Sequence, residues 1–512
     1  MDCETESISS VRGRQTPFWR ADWSAVPPLH GNGMPGIGCM FMQPRTRDCW
    51  FSSQPRLRRR VSWAPERRAH RLEMHSAEEA KAAMETLREE KAARGASGRS
   101  GCKPAILISH PTGNQNVRNA LQSLVEHNML AEFWTTVAWN PQSQWNRLLP
   151  PGLQLQLGRR AFAQVPGGRV KCVPSREIVR LGLRYLPLGR LLCLQERPFS
   201  VIGMYRHFDG RVARRLSEIA VDAVYAYEGG ALQTFRQARR HGIAALYELT
   251  SSYWYWERDL LRKEQLRNPE LASVLPKLSD SEDHMREKDE ELALADFIVV
   301  ASQHVRRTLA GVVPEDKILI VPYGAPPVRS RPVAPAEPRR PLRVLFAGAL
   351  SQGKGIGYLL KAVEMLGSDV ELTLIGRRIA PNDLVDTACR RWRWFETLPH
   401  ERVMEIMIES DVLVLPSLGE GFGLVVTEAL ACGLPVIVTP NVGASDLVCE
   451  GQEGFVVPVS SAEAIADRLN RLNWDRKLLT RMSRNAQSTA ARHSWEVYRE
   501  AWATTVKAAT SQ

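Results

Sequence analysis

The run Val412-Leu-Val-Leu-Pro-Ser-Leu-Gly-Glu-Gly-Phe-Gly-Leu-Val-Val-Thr-Glu-Ala-Leu-Ala-Cys-Gly-Leu-Pro-Val-Ile-Val438 leaves the chain few folds to choose from. It opens with a short, unbroken apolar stretch at 412–415, the signature of a strand covered on both faces. A turn broken by Gly419, Gly421 and Gly423 follows, then a helix-like run, and Gly433 leads into a second β-rich stretch. Strand, turn, helix and strand in close succession form a βαβ unit, because parallel strands need a crossover between them.

The same alternation extends along the chain. A strand is expected at 105–110, running through Pro111-Thr-Gly-Asn-Gln-Asn116 into a helix-like run over 117–129, which is how a doubly wound sheet begins. Further strands are expected at 133–137, 223–227, 244–249, 297–301 and 318–321. The Pro-rich stretch 325–341 reads as an extended linker. A second alternation follows, with strands at 343–347, 371–375, 412–415, 436–438 and 454–457. Trp495, Tyr498 and Trp502 then fall at helical spacing. Residues 141–200 give no clear pattern and are expected to hold a loop-rich excursion over the acceptor side. Residues 1–102, aperiodic and rich in Pro, Gly, Ser and Arg, are expected to form a disordered or low-order extension with one exposed helix near 77–94. The expected division is therefore 1–102, 103–324, 325–341, 342–485 and 486–512.

The turn in the opening run also carries chemistry. Glu420 sits in it, and Glu428 sits on the helix that follows. The amides of Gly421, Phe422, Gly423 and Leu424 start that helix with no intrahelical partner, so the end attracts a phosphate-like anion. Carboxylates suit sugar or ribose hydroxyls. A site for both a diphosphate and a polyol is a nucleotide-sugar site.

At this point the run resembles the E-x7-E signature of the retaining glycosyltransferases of family 4, within a longer P-S-x-x-E-G-F-G and E-A-x-A-x-G-x-P-V-I pattern. The resemblance implies the GT-B fold: two doubly wound Rossmann-like α/β domains facing a cleft, with the last helix crossing back onto the first domain. It also implies transfer of a hexosyl group from a nucleoside diphosphate sugar to a sugar, glycan or lipid-linked acceptor. Bacterial polysaccharide or glycoconjugate synthesis is the expected setting. In this reading Lys354, in Gly348-Ala-Leu-Ser-Gln-Gly-Lys-Gly355, stabilises the departing diphosphate. Glu420 contacts sugar hydroxyls, Glu428 holds the ribose, and residues 421–424 present amides. The loops of Arg377 and of Leu398 to His400 border the base, and Gly113 lets the first-domain backbone approach the donor.

Two departures accompany the resemblance. Ala349 stands where family members often carry a second phosphate-binding Arg, leaving Arg377 and Arg378 as candidates. Many relatives place a His after the strand at 244–249, whereas here Thr250-Ser-Ser-Tyr253 follows. His110 could contribute from the first loop or be a structural strand-end residue. The aromatic stretch 253–258 reads as core packing, with a sugar-stacking or lipid-facing wall as the other option.

Other classes are weighed against this one. Gly348-x4-Gly353-Lys354 fits a P-loop, but Gly355 stands where a magnesium-binding Ser or Thr is needed. A nucleotide-sugar epimerase would not need the two-glutamate run. A noncatalytic binder of glycans or partners would be told apart by the absence of donor turnover. The acidic cluster at 280–283 reads as a solvated helix face, and neither a metal nor a cofactor is expected. The formal charge of +12 draws the chain towards something anionic, with basic clusters at 56–60, 211–215 and 236–240. Peripheral contact with an anionic membrane face fits those clusters, and no RNA-binding signature accompanies them. Nine cysteines without C-x-x-C spacing, and no secretory signal, point to a cytoplasmic protein, peripheral at most to the inner membrane face.

Overall fold

The computed structural model describes residues 103–140, 160–183, 197–276, 280–331 and 340–511, with isolated positions between 142 and 158. The expected extension over 1–102, its helix, parts of the 141–200 stretch and the middle of the linker, 332–339, lie outside the described residues.

The first sheet is built from β1 (Ile106–Ser109), β2 (Leu130–Thr135), β3 (Val170–Cys172), β4 (Ala223–Tyr227), β5 (Ala244–Leu249), β6 (Phe297–Val300) and β7 (Ile318–Ile320). Its helices are α1 (Gln115–Glu126), α2 (Ser175–Leu183), α3 (Val201–Leu216), α4 (Leu232–His241), α5 (Trp254–Arg267), α6 (Glu282–Leu294) and α7 (Gln303–Thr308). The second sheet takes β8 (Leu342–Ala347), β9 (Val370–Ile375), β10 (Arg393–Phe395), β11 (Val412–Leu415), β12 (Val436–Val438) and β13 (Gly454–Val456). With it come α8 (Ile356–Leu366), α9 (Asp383–Arg391), α10 (His400–Glu409), α11 (Leu424–Ala431), α12 (Ala462–Trp474) and α13 (Arg476–Arg492); α14 (Trp495–Thr510) ends the chain.

The strand orders are β3-β2-β1-β4-β5-β6-β7 and β10-β9-β8-β11-β12-β13. Every described pairing is parallel. Each sheet therefore winds outward in both directions from its first strand, and the direction reverses between β1 and β4 and between β8 and β11. The crevice outside the carboxyl ends of the strands at such a reversal is where open α/β sheets bind ligands.

Helices cover both faces, so the central strands are buried throughout; β4 and β11 have no residue open to solvent. Ile106 and Ile108 point into a core continuous with the second sheet and α14, while Leu107 points into a separate core with Val224 and Tyr247. This alternation is the period-2 geometry of a strand. β2 begins at Leu130, ahead of the apolar run at 133, because Leu130 pairs with Ile106 of β1.

The last helix lies against the first domain. Ser123 Oγ donates to the Arg499 carbonyl at 2.6 Å, and Arg499 Nε donates to Glu126 at 3.0 Å. The fully buried Trp502 donates its indole N–H to Tyr225 Oη at 3.2 Å. Tyr225 and Tyr323 in turn donate to the buried Glu248 carboxylate, as does Asn116 Nδ2 at 2.9 Å. Three neutral donors compensate a carboxylate that burial would otherwise disfavour, and burial still raises its pKa. Glu248, a strand-end residue next to the expected acceptor side, is thus a structural polar centre. Among the described residues, no helix is long and apolar enough to cross a membrane.

Candidate functional site

The β8–β11 reversal assembles the site. The loop after β8 carries Lys354 in a 3-10 turn (Gln352–Lys354), and the loop after β11 carries Glu420. Adjacent strands place these loops side by side: Leu418 N–H donates to the Gly353 carbonyl at 2.9 Å. The Lys354 ammonium and the Glu420 carboxylate form an ion pair, their side chains 30% and 20% exposed. Burial lowers the pKa of Lys354 below the usual lysine value, and the nearby Glu257 carboxylate opposes that shift. The two residues expected to be catalytic are therefore in contact, from positions far apart in the chain.

Glycine makes this loop packing feasible. Gly355 has φ +74°, and a Cβ there would lie 2.0 Å from the Pro416 carbonyl oxygen. No Ser or Thr fits at that position, which removes the magnesium-ligand step of the P-loop reading. Gly423, with φ +86°, caps α11 in the left-handed conformation and contributes no side-chain cap. Among the described residues, nothing accepts from the amides of Gly421, Phe422, Gly423 and Leu424. The turn is nevertheless fixed from both sides. Glu420 N–H donates to the Asn441 carbonyl at 2.9 Å, and Gly443 N–H donates back to the Glu420 carbonyl at 3.0 Å. Phe422 is buried with its ring edge-on to Tyr323, the centroids 5.1 Å apart.

Glu428 lies further along α11. Its nearest ionisable neighbour is His400, the first residue of α10, with Nδ1 3.9 Å from the carboxylate. Burial raises the Glu428 pKa and the His400 ring lowers it. Leu398 packs partly buried against the core just before that helix. Arg377 is exposed, and its carbonyl accepts from Leu350 N–H at 2.9 Å, tying the β9 loop to the lysine loop. Arg378 is committed elsewhere, paired with Asp386 at 2.6 Å and stacked on Trp394.

The first domain closes directly onto the glycine turn. A Cβ on Gly421 would lie 1.9 Å from the Thr250 carbonyl oxygen, and one on Gly419 would lie 3.0 Å from the Trp256 ring. Ser302 Oγ donates to the Gly421 carbonyl at 2.8 Å, and Gln303 N–H donates to Asp446 at 2.8 Å. The aromatic stretch 253–258 forms the start of α5 and divides its work. Tyr253 Oη and Trp254 Nε1 both donate to Asp289, at 2.8 and 2.7 Å, whereas Trp256 faces the second domain.

At the other reversal, His110 follows β1 and Glu228 follows β4. His110 is buried, its Nδ1 accepts from Gly113 N–H at 2.7 Å, and desolvation brings its pKa down to about 3. It is a neutral structural residue that shapes the Gly113 turn (φ +69°). Glu228 accepts from Ser251 Oγ at 3.0 Å and pairs with Lys288 at 3.4 Å. Lys288 also holds Asp280 at 3.0 Å, so one end of the acidic cluster turns inward while Asp283 stays on the solvated face, paired with Arg286. Glu228, Asp280 and Lys288 line a cavity of about 390 Å³ together with Ser200, Tyr205 and His284. Glu257 senses both sites: burial and Glu228 raise its pKa, while Lys288 and Lys354 lower it. Neither Lys288 nor Glu257 is marked as a site residue by the sequence. Their partners lie in different helices, and only Glu228 sat at a recognisable strand end.

Two all-parallel doubly wound domains, with the first-domain loops after β5 and β6 packed on the turn after β11, make up the GT-B fold. Residues 331–489 match the family model described as glycosyl transferases group 1. Similar curated proteins include the D-inositol 3-phosphate glycosyltransferase of Corynebacterium urealyticum, 33% identical over 31% of this chain and 33% of its own. The enzyme of the same name from Nocardia farcinica is 30% identical over 40% of this chain and 51% of its own. The amylovoran biosynthesis glycosyltransferase AmsK of Erwinia amylovora is 30% identical over 31% of this chain and 43% of its own. The chain thus spans a third to a half of the length of the curated relatives it matches. Among solved structures, Anabaena HepE in complex with UDP superposes with a TM-score of 0.52 at 16% identity, over 79% of this chain and all of that one. Sucrose-phosphate synthase from Thermosynechococcus elongatus gives 0.56 at 17% identity, over 79% and 99%.

Proposed function

We propose that the protein is a retaining glycosyltransferase of the family 4 type. It moves a hexosyl group from a nucleoside diphosphate sugar to an acceptor hydroxyl in polysaccharide or glycoconjugate synthesis. The observation that carries this reading is the meeting of Lys354, Glu420 and the helix-start amides of residues 421–424 at one reversal of the second sheet.

The chemistry follows from those groups. Before a donor enters, the ammonium of Lys354 is neutralised by Glu420. An entering diphosphate competes for that ammonium and frees the Glu420 carboxylate to accept from sugar hydroxyls. As the sugar–phosphate bond lengthens, negative charge grows on the diphosphate, where Lys354 and the helix-start amides stabilise it. Glu420 steadies the cationic ring, Glu428 takes the ribose hydroxyls, and Arg377 is the candidate second cation in place of the residue at 349. Gly113 and Leu398 border the donor. The acceptor enters from the Glu228–Lys288 cavity, and attack occurs on the face the phosphate leaves, with the departing phosphate helping to take the proton. Close packing of the two domains keeps water from the reacting centre.

The similar glycosyltransferases support a sugar donor, and the HepE complexes with UDP and UDP-glucose make UDP-glucose the first donor to try. The test is proton NMR of the purified protein with an anomerically pure donor and a panel of saccharide acceptors. The expected product keeps the donor's anomeric configuration, with slow donor hydrolysis when no acceptor is present. An inverted product overturns the retaining assignment. A chain that binds donor but neither transfers nor hydrolyses it is a binding protein.

A further inference from the structure

The α5 helix belongs to the first domain, yet one of its faces serves the second. Glu257, Leu260 and Glu264 recur along it at helical spacing. Glu257 is near Lys354, Leu260 packs on Gly419, and Glu264 reaches the turn that carries the lysine.

Glu264 is 2% exposed, and its carboxylate is almost entirely compensated by donors. It accepts from Gln352 Nε2 at 2.6 Å, from Tyr358 Oη at 2.9 Å and from Asn268 Nδ2 at 2.7 Å. Gln352 and Tyr358 belong to the second domain, and Gln352 is the first residue of the Gln352–Lys354 turn. Gln352 is itself fully buried, and its Oε1 accepts from Gly357 N–H at 3.0 Å. The next residue, Gly353, is bounded by the first domain too, since a Cβ there would lie 2.8 Å from Pro276. Both residues before Lys354 are therefore held from across the domain boundary. A buried carboxylate is a strong acceptor: Arg267, at 3.7 Å, and Asn268 stay with it on its own domain, while Gln352 and Tyr358 reach it only across the boundary. The turn has ties within the second domain, Leu418 N–H on the Gly353 carbonyl and Gly357 N–H on Gln352 Oε1, and it gains the Glu264 acceptor and the Pro276 boundary only while the domains are in contact.

We propose that Glu264 is a positioning residue: through Gln352 it sets the turn that presents Lys354 to the donor diphosphate, so the lysine is aligned only when α5 is docked on the second domain. This rests on the glycosyltransferase reading. It goes beyond that reading by linking the donor site to domain closure through one named contact.

A double-mutant cycle tests it. The probe is whichever of UDP-, GDP- or ADP-glucose raises the wild-type melting temperature, and affinity is measured calorimetrically for the full chain. Lys354→Ala is expected to weaken binding about 30-fold and Gln352→Ala about 10-fold, while the double variant stays within about 3-fold of Lys354→Ala alone, because coupled residues do not add. Glu264→Gln keeps an oxygen acceptor for Gln352 and is expected to stay within about 3-fold of wild type, whereas Glu264→Ala should match Gln352→Ala. Effects that multiply in the double variant, or a Gln352→Ala affinity equal to wild type, overturn the positioning role and leave the donor site standing. A wild type that binds none of the three donors overturns both. Melting temperatures of all variants separate loss of fold from loss of alignment.

Discussion

Lys354 is the residue whose ionisation matters most to the proposed chemistry. Its ammonium is useful to a diphosphate only when protonated, and burial lowers its pKa from the ordinary lysine value of 10.5. Donor affinity should therefore weaken with rising pH before an ordinary lysine would titrate. Calorimetric titration from neutral to alkaline pH should show this decline in wild type and a flat, weak profile in Lys354→Met. His110 gives a second pH dependence of opposite sense. Its folded pKa of about 3 is below the ordinary histidine value of 6.5, so below pH 6.5 the unfolded chain binds a proton that the folded chain refuses. Stability contributed by the neutral ring falls as pH drops from 6.5 towards 3, by about 2–3 kcal/mol at pH 4.5. Denaturant unfolding at pH 7 and 4.5 should show that loss, and His110→Asn, which keeps an acceptor for the Gly113 amide, should lose less. The place of the proposed site was partly legible in sequence, for a physical reason. Lys354 and Glu420 sat beside glycines in strand-end loops, which mark a site. Glu264 and Lys288 sat on charged helix faces, where nothing in one dimension separates a buried ion from a solvated one.

At the scale of elements, the central strands were legible because a parallel strand covered on both faces is a continuous apolar run. Of the edge strands, β7 and β13 were legible, but β3 and β10 were not. β3 reads Val-Lys-Cys and β10 reads Arg-Trp-Phe, short and charged as unpaired sheet edges tend to be. The helix starting near residue 424 was legible from its glycines and apolar run. That its preceding turn touches the first domain was not, since the contact at Thr250 is a backbone oxygen with no sequence signal. Gly421 makes that contact testable. A methyl group there would meet the Thr250 carbonyl at 1.9 Å, so Gly421→Ala must part the domains or displace the turn. It should lower stability by about 1–3 kcal/mol, the usual range for overpacking, and weaken donor binding with it. Gly168→Ala is the matched control: neither glycine has a positive φ, and a Cβ on Gly168 would have no atom within 4 Å, so it adds the methyl group without a collision. Equal affinities for donor in the two variants would show that the domain contact does not shape the turn.

At the scale of the whole molecule, each of two sheets reverses direction once, and helices α5 and α14 join the two halves. The α14 helix does so through the Trp502–Tyr225–Glu248 network, and α5 through Glu264. The basic clusters at 211–215 and 236–240 lie on α3 and α4 of the first domain. In the proposed donor site, the positive charge comes from one lysine, a row of amides and a candidate arginine at the second sheet's reversal. Everything proposed about function depends on that place binding an activated sugar. The most direct measurement is a thermal-shift and calorimetric panel of UDP-, GDP- and ADP-sugars on wild type, Lys354→Ala and Glu428→Ala. Donors of one base class are predicted to raise the wild-type melting temperature and bind, and each substitution is predicted to reduce both effects sharply. No response to any donor, or a response that both variants retain in full, would contradict the proposed donor site.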